Sequence, residues 1–223
     1  MTFNYEVIYS IRKTIGITVD RDRRVVVRAP QCASADAVSD VVESKRLWIW
    51  QKLRDPRKYS DLAKRKEYVE GETFLFLGQH YSLELISGKP AAVRLVGRRF
   101  QLVRDDSCFG EALFRSWYSL RAKEILQPRI AIFAAAMGLS YTRIWIRDLK
   151  YRWASCAPGG TLTFNWRIVQ APMIVVDYLI VHELAHFLVP THSQDFWNIV
   201  AVHVPSWAKA RSWLRQNGSR LEW

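Results

Sequence analysis

Cysteine is scarce in this sequence, since Cys32, Cys108 and Cys156 are the only three in 223 residues. An odd and widely spaced set of thiols argues against a disulfide framework and favours a reducing compartment. Long apolar runs are also missing: the N-terminal MTFNYEVIYSIRK has no uninterrupted apolar core, and IAIFAAAMGL is far shorter than a membrane span. These absences predict a cytoplasmic protein that does not enter the membrane.

A Gly-rich phosphate-binding loop is absent as well, which weakens a nucleotide-hydrolysing function without excluding it. Acidic residues are in the minority, with 21 against 33 basic ones and a net charge of +12. A basic surface attracts polyanions, so nucleic acid or a nucleotide is a possible partner, although a solvated surface without a specific partner is more common. The excess of basic over acidic residues is small in residues 151–223, which carry 6 basic and 4 acidic side chains.

The first half of the chain has mostly strand patterns. A hairpin is predicted from two β-branched runs that flank a charged turn, IGITVD and RVVVRAP. Four further strand patterns would continue it as a small antiparallel sheet: TFLFLG, YSLELIS, AAVRLVG and FQLVRD. Between them SADAVSDVVESKRLWIWQKLRD has helical spacing and ends at Asp55-Pro56. Its apolar positions near one face are Val38, Val41, Val42, Leu47 and Ile49.

The second half mixes helices with two strands, TRIWIRDL and TLTFNWRIV. A long helical stretch, EALFRSWYSLRAKEILQPRIAIFAAAMG, is predicted to bend or break near Pro128 and to stop at Gly138. Helices are also predicted after Pro172, after Ser193 as N-cap, and over PSWAKARSWLRQNG. We therefore predict an α+β fold, with a β-rich region over residues 1–105 and a catalytic domain over residues 106–223.

The stretch HELAHFLVPTH contains three of the five histidines. His182 and His186 are four residues apart, so on a helix their imidazoles converge on one ion. Glu183 lies one step round the helix, where it suits a general base that acts on a metal-bound water. Pro190 turns the chain and can bring back His192 as the third ligand.

Zinc is the preferred ion at this cluster, at one ion per chain, because neutral imidazoles suit it and three of them leave an open coordination position. The spacing to the third histidine equals that of metzincins, but Val189 replaces their turn glycine and no Met-turn follows. The alternative is a buried helix with incidental histidines. That alternative would bury polar groups in an apolar helix without a partner.

Other residues near the cluster have weaker claims to a role. Asp195 could be a fourth ligand, or more readily a partner that orients an imidazole, and His80 and His203 are ordinary surface or core histidines. Arg152 or Tyr178 could reach a developing oxyanion, but each is more often structural. Buried apolar packing is a better expectation for Cys156 than a nucleophilic role.

The chain resembles the YgjP-like family of zinc metallohydrolases, which are relatives of the WLM and SprT-like zincins. The matching segments are RWASC, FNWRIVQAP, DYLIVHELAH and HSQDFW, with weaker matches at GETFLFLGQHYSLEL and WYSLRAKEIL. The resemblance implies a minimal zincin fold with an edge strand beside the active-site helix, with His182, His186 and His192 as zinc ligands and Glu183 as base. Ala154 departs from the family's usual glycine, and its methyl group could perturb the turn before the edge strand.

The strand TLTFNWRIV alternates apolar and polar residues, so one face belongs to a core. At a sheet edge it could align an extended peptide over the metal, whereas an internal strand could not. The predicted function is a zinc-dependent hydrolase, foremost a metallopeptidase in which Glu183 activates a zinc-bound water for attack on a peptide carbonyl. One alternative is a metal-dependent phosphohydrolase, whose substrate would be a small molecule, a nucleoside triphosphate. The other is a nucleic-acid-associated zinc protein.

Overall fold

The computed structural model describes residues 3–19, 24–54, 66–88, 92–149 and 152–221. The fold is mixed α and β, and six α-helices lie within these residues, most strands coming in the first half of the chain. This architecture confirms the predicted fold class. The chain divides into two compact units, Met1–Leu62 and Ala63–Trp223. No helix in the described ranges is both long and apolar enough to cross a membrane.

The first unit contains a three-stranded sheet and two helices: β1 (Tyr5–Ser10), β2 (Gly16–Val19), β3 (Val25–Pro30), α1 (Ala35–Ser44) and α2 (Arg46–Leu53). The strand order is β1-β3-β2, with β2 antiparallel to β3 and β1 parallel to it. The β2–β3 pair confirms the predicted hairpin, whose turn over residues 20–23 lies outside the described residues.

The predicted helix of the first unit is in fact two helices, because α1 ends and α2 begins at Lys45. Ser34 caps α1 by accepting a hydrogen bond from the Ala37 N–H at 3.2 Å. The interruption changes the phase of the helical pattern. Leu47 is therefore 74% exposed, contrary to its predicted place on the apolar face, while Ile49 is buried. The predicted end at residues 55–56 lies outside the described residues.

The second unit begins with a four-stranded sheet of β4 (Thr73–Phe76), β5 (Gln79–Ile86), β6 (Arg94–Val96) and β7 (Arg99–Val103). Its order is β4-β5-β7-β6. β7 lies between β5 and the edge strand β6, parallel to β5 and antiparallel to β6. The predicted antiparallel continuation of the N-terminal hairpin was therefore wrong: this sheet is separate and mixed. His80 is the second residue of β5.

A three-stranded sheet follows, made of β8 (Arg143–Arg147), β9 (Ala154–Ala157) and β10 (Thr161–Asn165). Its order is β8-β10-β9, so β10 is internal, parallel to β8 and antiparallel to β9. Of the two interpretations of TLTFNWRIV, the internal strand is therefore correct. The two edges of this sheet are β8 and β9. Ala154, in β9, is buried without the positive φ that would require glycine.

Four helices complete the second unit: α3 (Gly110–Ala136), α4 (Met173–Ala185), α5 (Gln194–His203) and α6 (Trp207–Asn217). Of the predicted bend or break near Pro128, the break was wrong, because α3 continues through this residue. A proline there removes one backbone hydrogen bond, and the turns on both sides are long enough to hold the helix. Gly138, with φ of 65°, follows the helix where the stop was predicted.

The helices and both sheets of the second unit share one apolar core. Phe74, Phe100 and Phe114 pack from the four-stranded sheet and α3, while Leu162 and Phe164 contribute from β10. The helix α4 crosses this core and buries nine of its residues, so its position is fixed on nearly all sides. The division of the chain into a β-rich region over residues 1–105 and a catalytic domain over residues 106–223 stays a prediction.

Candidate metal centre

The C-terminal end of α4 brings the first two histidines together. His182 lies in the last turn and His186 is the C-cap residue, four positions later on the same face. The helix closes with hydrogen bonds from the N–H groups of Leu188 and Val189 to the carbonyl of Ala185. Pro190 cannot extend the helix, so the chain turns there, as the sequence predicted.

His192 returns to the other two histidines at the start of α5. Ser193 caps this helix by accepting a hydrogen bond from the Phe196 N–H at 3.5 Å, which confirms its predicted role. One ligand atom from each imidazole lies within 4.8 Å of the others. The Nε2 atoms of His182 and His192 are 3.1 Å apart. Two ligands of a tetrahedral zinc ion are about 3.3 Å apart when each Zn–N bond is about 2.0–2.1 Å, so this spacing fits a common ion.

Two of the imidazoles have a partner at their second ring nitrogen. The Nδ1 atom of His182 is 3.5 Å from the hydroxyl oxygen of Tyr178, and the Nδ1 atom of His186 is 3.3 Å from the carbonyl oxygen of Val189. Such contacts orient a metal-binding imidazole and leave Nε2 for the ion. Asp195, considered from the sequence for this role, is exposed on α5 and is not part of the cluster.

The surroundings of His182 and His192 favour the neutral imidazole, which is the form that binds metal. Burial lowers the pKa of His182 to about 3, and the charges of His186, His192 and Arg211 add to this effect. The pKa of His192 is lowered in the same way, by loss of hydration and then by His186 and Arg211. The donor set therefore consists of three close nitrogen atoms, which suits zinc.

Glu183 is 6% exposed on the buried side of α4. Burial raises the pKa of its carboxyl to about 7, while the charge of Arg152 and a hydrogen bond from the Cys156 backbone oppose that rise. A carboxyl that titrates near neutrality can both accept and return a proton, as a general base must. The bond to Cys156 also joins Glu183 to the edge strand β9.

The remaining predicted residues divide into those beside the cluster and those away from it. Tyr178 lies against His182, with ring centroids 5.6 Å apart. Arg152 is an exposed residue that lines the same cavity as His182 and Glu183. The pKa of the Cys156 thiol is raised by burial and by Glu183, which opposes a nucleophilic role. His80 and His203 do not belong to the metal-binding cluster.

Sequence reasoning missed two aromatic residues on α5 that surround the histidines. The ring of Phe196 is fully buried and lies 4.7–4.9 Å, between centroids, from each of the three imidazoles. Trp197 stacks on His192 at 5.6 Å and 27°. Both lie in the segment HSQDFW, where their closeness to His192 was the available signal. They form an apolar wall that keeps the imidazoles in place.

Three converging imidazoles and a buried carboxylate on an apolar helix of a mixed α/β protein are typical of metal-dependent hydrolases. The chain belongs to the YgjP-like family: residues 13–217 match its profile, described as the YgjP-like metallopeptidase domain. This membership confirms the predicted family. A metallopeptidase domain implies a divalent ion, commonly zinc, and the histidine cluster could hold it.

Among solved structures, the chain is similar to the metallopeptidase zymogen of Pyrococcus abyssi abylysin. The sequences are 27% identical, the alignment covers 38% of this chain and 85% of that one, and the TM-score is 0.35. The comparison with curated proteins gave no match.

Proposed function

We propose that the protein is a zinc-dependent peptidase in which His182, His186 and His192 hold the ion and Glu183 is the general base. The observation that carries the proposal is the convergence of the three imidazoles beside a buried carboxyl group. Membership in a family of metallopeptidase domains supports it. Three ligands from the chain would leave one coordination position open, as a catalytic zinc site needs.

A zinc ion at this cluster would supply Lewis acidity, which lowers the pKa of a bound water and polarises a carbonyl group. Glu183 would take a proton from the attacking water on a carboxylate oxygen and pass it to the nitrogen of the leaving amine. The pKa of about 7 for Glu183 matches both steps. The hydrogen bond from the Cys156 backbone fixes the carboxyl group so that it does not rotate away.

The edge strand β9 supports a polypeptide substrate. Among the described residues β10 is the neighbour of β9 in its sheet, and β9 packs against α4 next to Glu183. An extended peptide can add to the open edge of a sheet through main-chain hydrogen bonds. We propose that β9, in place of the β10 strand considered from the sequence, aligns the scissile bond with the metal centre.

One observation favours a second candidate, hydrolysis of nucleoside triphosphates. Arg152, Arg211 and Arg215 line the cavity beside His182 and Glu183, and arginine binds phosphate well. The peptidase remains the better supported function because of the family and the edge strand.

The test is a side-by-side screen of a peptide library and nucleoside triphosphates with zinc-loaded protein. We expect peptide cleavage, and a loss of about 10²–10⁴-fold in kcat/KM when Glu183→Gln removes the general base. Zinc content measured on both proteins shows whether the variant retains the ion. Cleavage unaffected by Glu183→Gln, or turnover of nucleotides alone, would contradict the proposal.

A further inference from the structure

The metal centre opens on one side into a cavity of about 690 Å³. Tyr178, His182 and Glu183 form one wall, and residues of α6 form the facing wall. Trp153, Leu179 and Leu214 add apolar surface. A pocket of this size, next to the groups proposed for the chemistry, is large enough for a side chain of a bound substrate.

Positive charge dominates this cavity. Arg152, Arg211 and Arg215 line it, whereas Glu183 is the one acidic residue among its described lining. Within the described part of the chain no carboxylate lies at ion-pair distance from any of these three arginines. Other arginines of the second unit are paired, for example Arg129 with Asp177. The cavity therefore presents guanidinium groups that are available to a ligand.

The two arginines of α6 are held in a defined place. Arg211 and Arg215 are four residues apart, so they lie on the same face of the helix, which packs against α4. The guanidinium of Arg211 is 4.7 Å from the ring centroid of Trp197, and Trp197 stacks on Trp207 at 4.4 Å and 18°. Because Trp197 also stacks on His192, the Arg211 charge is positioned relative to the metal centre.

We propose that Arg211 and Arg215 bind the carboxylate of an aspartate or glutamate side chain next to the scissile bond, so that the enzyme selects acidic peptides. This inference rests on the peptidase function proposed above and specifies its substrate class. Guanidinium groups bind carboxylates with paired hydrogen bonds. Arg152 interacts with Glu183 and is left out of the pair.

A peptide carboxylate fits the cavity better than a nucleotide phosphate. Ala154, in the edge strand β9, lines the cavity, so a peptide paired with that strand would pass along its mouth. The chain has no Gly-rich loop of the kind that cradles a triphosphate.

The test measures binding with the zinc-loaded full chain carrying Glu183→Gln, which slows turnover. The immobilised protein is incubated with a library of capped hexapeptides, and the bound peptides are quantified by mass spectrometry. We expect glutamate or aspartate at one position to be enriched about tenfold over glutamine or asparagine. Adding Arg211→Gln and Arg215→Gln together should reduce that ratio to near one, and Arg211→Glu with Arg215→Glu should shift the enrichment to lysine.

Lys209→Gln is the matched control, because Lys209 is exposed on the same helix and does not line the cavity. It removes one positive charge and should leave the enrichment unchanged. Equal enrichment before and after the arginine substitutions, or no preference for acidic residues, would overturn the inference. So would binding and hydrolysis of ATP that depend on Arg211 and Arg215 in the absence of acidic-peptide binding.

The failure of this inference is distinguishable from failure of the peptidase proposal. If the wild-type protein cleaves acidic and neutral peptides equally, the peptidase function stands and the arginine pocket has no role in selection. If acidic peptides bind through the two arginines but none is cleaved, the carboxylate site stands and the peptidase function fails. Zinc content is measured for every variant, so that loss of the ion is not mistaken for loss of the pocket.

Discussion

Each imidazole of the cluster is held by a different neighbour. The Nδ1 atom of His182 faces the hydroxyl of Tyr178, that of His186 faces the carbonyl of Val189, and His192 is stacked on Trp197. The first partner is a side chain and can be removed without changing the backbone. Its removal therefore tests whether the contact with His182 matters for the ion.

We predict that Tyr178→Phe weakens zinc affinity about tenfold, at the lower end of the range for partners of metal-binding histidines, because the 3.5 Å contact is long. The measurement is competition for zinc with a chromophoric chelator. Tyr141→Phe is the control, since Tyr141 packs against the same core but away from the cluster. Equal affinities of wild type and Tyr178→Phe would show that the hydroxyl has no part in holding His182.

The metal-ligand candidates could be proposed from the sequence because a four-residue spacing is a local property of a helix. His192 required one further inference, that Pro190 turns the chain. Arg211 and Arg215 could not be found in this way, because they come from α6 and meet α4 only through tertiary packing. The distribution of charge along the chain did not indicate these two arginines either, because residues 151–223 carry only a small excess of basic over acidic residues.

At the scale of the elements, α3 supports the helix that carries the metal site. Arg129 of α3 forms a two-point ion pair with Asp177 of α4, with N···O distances of 2.5 and 2.6 Å. Asp177 lies between the start of α4 and its histidines, and its side chain is 18% exposed. A partly buried pair with two hydrogen bonds should contribute more to stability than a pair on an open helix surface.

We predict that Asp177→Asn lowers the free energy of unfolding of the second unit by about 1–2 kcal/mol, because it removes a charged hydrogen-bonded partner. Urea denaturation followed by tryptophan fluorescence measures the change. Glu124→Gln is the matched control: Glu124 pairs with Arg121 on the same helix, and both side chains are at least 40% exposed. That change should cost at most about 0.5 kcal/mol. Equal losses for the two variants would contradict a special role for the Arg129–Asp177 pair.

The elements themselves were predicted with unequal success. Periodicity located α1, and the start signals at Pro172 and Ser193 located α4 and α5, because these signals act through neighbouring residues. Strand pairing was predicted less well, because it is decided by contacts between segments that are distant in the sequence. Examples are the parallel pairing of β5 with β7 and the central position of β10 in its sheet. The continuity of α3 through Pro128 likewise depends on the length and packing of the whole helix.

At the scale of the whole molecule, the chain is divided between two units, and all residues proposed for zinc binding and catalysis belong to the second. The family match over residues 13–217 extends across both units. The second unit combines a rigid apolar core, an edge strand and a basic cavity around one helix. The proposed peptide alignment, ion binding and selection of acidic side chains all rest on these three features.

The account depends most directly on zinc at the three histidines, and metal analysis of the purified protein tests this. We expect about one zinc per chain in wild type and in His80→Ala and His203→Ala, whose histidines lie outside the cluster. The His182→Ala/His186→Ala double variant and His192→Ala should each lose most of the zinc while remaining folded by circular dichroism. Wild-type protein without zinc, or variants of the cluster with undiminished zinc, would contradict the account.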